Sequence, residues 1–210
     1  MRRAVTPQDA GKDHWQKVYG TRAETEVSWY QPRPARSLEL IAAYAPDRAT
    51  PAIDIGAGAS TLAQHLLDAG YGDVTVVDIS ETAIARTRAR IGDRKGAHYI
   101  VADMTAWMPD RRWGIWHDRA AFHFLTDTQH QDAYIAALTE ATEPGSVLII
   151  ATFALDGLEK CSGLPVRRYS PETLAARLGP AFDLVEASRE DHPTPSGLVP
   201  RFAWTVLRRR

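Results

Sequence analysis

Gly56 and Gly58 follow a short apolar run, Pro51-Ala52-Ile53-Asp54-Ile55, and a helical pattern begins soon after them. Glycine lets the backbone turn sharply and lets a ligand approach the main chain, while the N–H groups that open a helix offer positive partial charge. A nucleotide-like ligand suits such a turn, and an ordinary strand-to-helix turn is the plainer alternative. The full dinucleotide fingerprint needs a third glycine three residues later, where this chain has Thr61, which argues against a bound pyrophosphate. Asp78 closes a second apolar run that begins at Asp73, at the roughly 20-residue spacing expected of a ribose-binding carboxylate. Its plainer use is to cap the next helix, a task that Ser80 can also fill.

A second group, Trp116-His117-Asp118-Arg119 with Phe122 and His123 just beyond, stands where a fourth run ends. At the carboxyl end of a parallel strand, His117, Asp118 and Arg119 are suited to proton transfer or to stabilising an anion. An Asp118–Arg119 ion pair and packed histidines are the plainer uses. His117, Asp118 and His123 are residue types that bind zinc, but their spacing matches no i, i+4 ligand pair on a helix, so no metal is expected. Cys161 is the only cysteine, which excludes an internal disulfide and a zinc site of paired cysteines. It is either a contact for a soft substrate or a small buried apolar residue.

These residues need a scaffold that brings strand ends together. Asp13 to Gly20 reads as a short helix carrying Trp15, a polar stretch leads to Trp29-Tyr30, and Pro34 to Tyr44 gives a second helix ended by Pro46. Leu62, Leu66 and Leu67 mark a crossover helix, Ile84 and Ile91 another that stops at Gly92, and His98 to Ala102 a third strand. Such alternation predicts a doubly wound parallel α/β sheet with the ligand at the carboxyl ends of its strands. Thr126 and Gln129 are placed as a capping box for the helix through Tyr134 and Leu138. Val147 to Phe153 reads as a central strand, and a long loop from Ala154 to Tyr169 follows. Ser170 caps a last helix, and runs at Phe182 to Ser188 and Phe202 to Leu207, joined by a Pro-rich turn, predict an antiparallel terminal pair.

Asp54-Ile55-Gly56-Ala57-Gly58, Asp78 and Ala102-Asp103-Met104 together resemble the class I S-adenosylmethionine-dependent methyltransferases over most of the chain. The resemblance implies a seven-stranded Rossmann-like sheet of order 3-2-1-4-5-7-6 with its last strand antiparallel. It also implies that Gly56 and Gly58 flank the methionine part of S-adenosylmethionine, that Asp78 holds the ribose, and that Asp103 faces the adenine, with Asp54, Ile79 and Met104 as further cofactor-binding residues. Trp116 to Ala121 is similar to the Trp-Asp-Arg-Gly-Ala run of the thiopurine S-methyltransferase and tellurite-resistance branch, with His117 inserted and Ala120 in place of glycine. His14-Trp15-Gln16-Lys17 resembles the N-terminal element that covers the cofactor in that branch.

The expected organisation is one domain, 1–210, with 1–45 as a helical lid whose Trp15 and Trp29 cover the cofactor through aromatic faces, which attract a sulfonium. His117, Asp118 and Arg119 are the expected catalytic residues, and Tyr30, Phe122, His123 and Cys161 the expected acceptor wall. With 25 Lys and Arg against 26 Asp and Glu the net charge is −1, so neither nucleic acid nor an anionic membrane is an expected partner. No apolar run is long enough to span a bilayer or act as a secretory signal, and a cytoplasmic location is expected. The expected function is methyl transfer to a small soft nucleophile, a thiol, selenol or metalloid. N-methylation of a protein lysine or small amine is the alternative, and a non-catalytic nucleoside-binding module the alternative of another class.

Overall fold

A computed structural model of the protein describes residues 7–194 and 197–210. Seven strands form the main sheet: β1 (Ala52–Ile55), β2 (Val74–Asp78), β3 (Ala97–Val101), β4 (Ile115–Arg119), β5 (Val147–Phe153), β8 (Phe182–Asp191) and β9 (Arg201–Arg209). Two-residue strands β6 (Lys160–Cys161) and β7 (Leu164–Pro165) pair in a separate hairpin within the long loop. The sheet order is β3-β2-β1-β4-β5-β9-β8, the expected 3-2-1-4-5-7-6 when the hairpin is left out of the count. β1 to β5 are mutually parallel, and β9 runs antiparallel to both neighbours.

Strand periodicity explains which side chain reaches which layer, because successive residues point to opposite faces. Ile115, Ile149, Ala151 and Val206 pack in one core with α2 (Ala35–Tyr44), α3 (Leu62–Asp68) and α4 (Glu81–Ile91). Ile53, Trp116, Leu148, Ile150 and Leu207 pack in the other with α5 (Thr128–Glu140) and α6 (Pro171–Leu178). β5 is buried along its whole length, as a strand covered on both sides must be.

Caps set the helix starts. Ser80 Oγ accepts from the Ala83 N–H and Ser170 Oγ from the Thr173 N–H, as expected. Asp127, not Thr126, caps α5, because its carboxylate reaches the His130 N–H and its backbone is extended. The first helix, α1 (Pro7–Thr21), is longer than Asp13 to Gly20, and of the expected lid residues 1–6 lie outside the described ones. Residues 195 and 196 of the Pro-rich turn between β8 and β9 lie outside them as well. No helix among the described residues is long and apolar enough to cross a membrane.

Candidate active site

The loop after β1 carries the tightest constraints. Gly56 and Gly58 have φ angles of 59° and 56°, a left-handed backbone that side chains disfavour. A Cβ at Gly56 would collide with the Cβ of Ala121, and one at Gly58 with the hydroxyl of Tyr19. The Gly58 N–H donates to Asp78 Oδ2 at 2.7 Å and the Ser80 N–H to Oδ1 at 2.8 Å. Burial pushes the Asp78 carboxyl up to about 6, and those two N–H groups restrain the rise. Gln16 of α1 docks on the same corner, its Oε1 accepting from Ser80 Oγ at 2.5 Å and from the Thr82 N–H at 3.1 Å.

Beside this loop lies a cavity of about 320 Å³. Trp15, Trp29, Gly56, Asp78, Ile79, Asp103 and Met104, seven of the nine residues expected around a cofactor, line it together. Gly58 is under Tyr19, and Asp54 lines a smaller adjoining pocket of about 50 Å³ instead. Asp103 Oδ1 accepts from the N–H and hydroxyl of Thr105, and its Oδ2 has no partner among the described residues. Trp15 meets Trp29, Tyr19 and Phe124 ring to ring, with centroids 5.7, 6.3 and 5.1 Å apart.

The β4 cluster does not act as one group. His117 and Arg119 point to the α2 side and Asp118 to the α5 side, so the sheet itself separates them. His117 is buried with Nδ1 donating to Asp54 Oδ1 at 2.7 Å and Nε2 2.9 Å from Ser37 Oγ. Asp118 is fully buried and accepts from the Ala121 and Phe122 N–H groups and, at 2.7 Å, from the Tyr134 hydroxyl. Neither lines the cavity. Both are expected catalytic residues; the structure puts His117 against Asp54 and Ser37, and Asp118 against the turn after β4. The structure contains no Asp118–Arg119 ion pair, since the two side chains leave opposite faces.

Arg119 does reach the cavity. Its Nη1 donates to the Trp29 carbonyl at 3.1 Å and its guanidinium lies 5.0 Å from the Phe202 ring centroid, while Nε and Nη2 are buried without a partner among the described residues. Cys161 lines the cavity as expected; burial pushes its thiol up to about 11, with Arg119 opposing the rise, so it is neutral at neutral pH.

Three expected acceptor residues sit elsewhere. Tyr30 faces the smaller pocket with Asp54. Phe122 is wholly buried against Tyr134 and Tyr169. His123 is wholly buried between Phe124 and Phe153, and burial, reinforced by Arg119, drives its imidazole down to about 3. Phe122 and His123 pack among aromatic rings, while Ala120, Ala121, Phe124 and Leu125 of the same stretch line the cavity.

Sequence reasoning missed Tyr19, Phe153, His192 and Phe202 on the cavity wall. The i, i+4 spacing of Trp15 and Tyr19 marks one helix face, a signal that was there to use. His192 and Phe202 arrive from the ends of β8 and β9, which no local pattern reveals. The His192 Nε2–H donates to the Ser28 carbonyl at 2.9 Å, and burial followed by Arg119 lowers its pKa.

Residues 52–145 match a family model described as a methyltransferase domain. The eEF1A lysine and N-terminal methyltransferase of Mus musculus is 30% identical over 120 residues, 56% of this chain. The chain spans 17% of the length of that curated relative. The crystal structure of an S-adenosylmethionine-dependent methyltransferase from Anabaena variabilis superposes with a TM-score of 0.75 at 14% identity, covering 100% of this chain and 98% of that one. A structure solved for the conversion of a disulfide bond into a thioacetal group during echinomycin biosynthesis gives 0.73 at 22% identity, covering 95% and 92%. At these identities the two structures speak for the fold. Residues 52–145 thus match a methyltransferase domain, and the whole chain has the fold of S-adenosylmethionine-dependent methyltransferases.

The residues present fit S-adenosylmethionine. The loop is bare at Gly56 and Gly58, where side chains would collide, two acids offer carboxylate oxygens along one wall, and aromatic rings line the other. The cavity volume falls in the range of small-ligand sites.

Proposed function

We propose that this chain transfers the methyl group of S-adenosylmethionine to a small soft nucleophile, a thiol or its selenium or metalloid analogue. The observation that carries this reading is the pairing of a buried cation, Arg119, with the weakly basic His192 and the neutral Cys161 in one part of the cavity. A positive, partly dry wall favours a thiolate over a thiol and disfavours an incoming ammonium. His192, with its Nε2–H committed to Ser28, keeps Nδ1 as the ring's acceptor. A base weaker than ordinary histidine suits a thiol proton, with a reference pKa of about 8.5, better than a lysine ammonium at about 10.4.

The cofactor, when bound, supplies a methyl group already activated on a sulfonium. In this reading Gly56 receives its methionine part, with Asp54 in the adjoining pocket, Asp78 its ribose, and Asp103 with Ile79 and Met104 its adenine. Trp15 and Trp29 close over it from a lid made of the described part of residues 1–45. His14 Nε2 lies 3.4 Å from Ser162 Oγ in the β6–β7 hairpin, so α1 and that hairpin meet across the cavity and help to exclude water.

The thiopurine branch has one point in its favour and one against. Ala120 stands in a left-handed conformation, φ 68°, at the position where that branch has glycine. The inserted His117, however, places Trp116 on the same face as Asp118, where both bond Tyr134, and separates it from Arg119. The second reading, methylation of a lysine or amine, is favoured by the 30% identity to a lysine and N-terminal methyltransferase.

Calorimetry with S-adenosylmethionine, S-adenosylhomocysteine and NAD, then a methyl-transfer screen over thiols, selenols, amines and cell lysate, tests these readings. Methylated thiols are the expected product. Methylated amine or lysate protein without methylated thiol would overturn the acceptor assignment, and cofactor binding with no turnover would leave a non-catalytic module.

A further inference from the structure

Arg119 is buried at the end of β4 with one edge satisfied and the other empty. Nη1 donates to the Trp29 carbonyl. Nε and Nη2, the two nitrogens whose N–H bonds run side by side, are shut off from solvent and have no partner among the described residues. That edge is the one that matches the two oxygens of a carboxylate. Leaving two charged donors unpaired in a buried site is costly, so a group that fills the edge gains what the empty protein lacks.

The position of the guanidinium says which ligand this is. It packs over the ring of Phe202, at 5.0 Å, and its field acts on Cys161, His123 and His192, which belong to the β5, β8 and β9 side of the cavity. Asp78 and Asp103 close β2 and follow β3 at the other end of the sheet order. Glu190 of β8, whose charge acts on Arg119, is not its hydrogen-bond partner; it bonds the Trp204 indole and Gln31 instead. Arg119 also lines the smaller pocket with Asp54, whose charge acts on it, but it forms no ion pair there among the described residues, so the fork stays free beside Phe202, Cys161 and His192.

We propose that the methyl acceptor carries a carboxylate, gripped side-on by Nε and Nη2 of Arg119, with its apolar body against Phe153 and Phe202. Resting on the soft-nucleophile reading above, this makes the acceptor a small mercapto acid. The carboxylate orients the molecule and raises affinity; the thiolate sulfur forms the new bond to carbon as the cofactor's sulfur–carbon bond breaks, and the thiol proton passes to His192 or to water.

The test is binding first and turnover second. Calorimetry on the protein saturated with S-adenosylhomocysteine compares 3-mercaptopropionate with propanethiol, in the native chain and in Arg119→Lys and Arg119→Gln. The acid should bind at least about tenfold more tightly than the neutral thiol, and both substitutions should erase that difference. The two-ligand comparison in the native chain stands even if a variant fails to fold. Equal binding of the two thiols would overturn the proposal. So would an acid that binds only when S-adenosylhomocysteine is absent, because the fork would then belong to the cofactor's own carboxylate. In the turnover arm, preferential acid binding with methylation at sulfur supports both readings. Preferential binding with methyl ester as the product keeps the fork and overturns the thiol reading.

Discussion

The backbone N–H of Gly58 donates to Oδ2 of Asp78 at 2.7 Å, so the glycine turn after β1 and the acid that ends β2 are one unit. In the proposed reading, in which Asp78 meets a ribose, its carboxylate is already oriented by the glycine loop. Burial raises its pKa to about 6, and hydroxyl groups that donate to it favour its ionised form. Binding and loss of the Asp78 proton are thus coupled. Affinity for S-adenosylhomocysteine should be roughly fivefold to tenfold weaker at pH 5 than at pH 7. Calorimetry in buffers of different ionisation enthalpy should detect a proton released on binding near pH 6. A flat affinity across that interval, or the same slope in Asp78→Asn, would remove Asp78 from the ribose.

Asp118 provides a contrast between holding a turn and doing chemistry. Its oxygens satisfy the Ala121 and Phe122 N–H groups and the Tyr134 hydroxyl. Asp118→Ala leaves all three donors buried and unmet, which should cost about 3 kcal/mol or more in a denaturant titration. Asp118→Asn keeps one acceptor oxygen and should cost less, with turnover per folded molecule within severalfold of the parent. A general base would lose on the order of 100-fold to 10,000-fold at unchanged stability. The Asp118 carboxyl is also pushed up to about 6 by burial. The folded state therefore holds this proton more tightly than the unfolded one, and the group's contribution to stability falls as pH rises from about 4 through 6.

Ala120 occupies left-handed backbone at φ 68°, with its N–H donating to the Ala151 carbonyl across the sheet end. A Cβ in that region costs about 1–2 kcal/mol, while glycine adds back some unfolded-state entropy. Ala120→Gly should therefore stabilise the chain by about 0.5–1 kcal/mol, read as a higher denaturant midpoint at unchanged slope. A neutral or destabilising result would mean that the alanine methyl packs more favourably than the backbone strain costs.

The sheet order and most of the residues that gather at the cavity from β1, β2 and β3 were legible because their determinants are local: glycines where φ is positive, acids closing short apolar runs, and helices with caps between them. The rest of the cavity wall was not. The pattern from Trp116 to Arg119 marked a strand end, but the two-residue alternation along that strand sends His117 and Asp118 to opposite layers, each into buried hydrogen bonds. Treating neighbouring ionisable residues as one cluster ignored that alternation. Phe202 and His192 lie on the antiparallel pair at the chain's end, and only sheet topology brings them beside Arg119.

Trp15 lines the cavity from α1 and meets Trp29 nearly edge-on, at 80° and 5.7 Å between centroids. If its ring covers the methyl-bearing sulfur, it should attract the sulfonium of S-adenosylmethionine more than the neutral thioether of S-adenosylhomocysteine, since only the former is a cation. Trp15→Leu removes the ring and also loosens its packing on Tyr19 and Phe124. The packing loss falls on both ligands alike, so the difference between them isolates the cation–π part. S-adenosylmethionine should lose threefold to tenfold more affinity than S-adenosylhomocysteine, corresponding to roughly 0.6–1.4 kcal/mol. Equal losses for the two, measured side by side by calorimetry, would leave Trp15 as a packing residue of the lid with no part in recognising the charge.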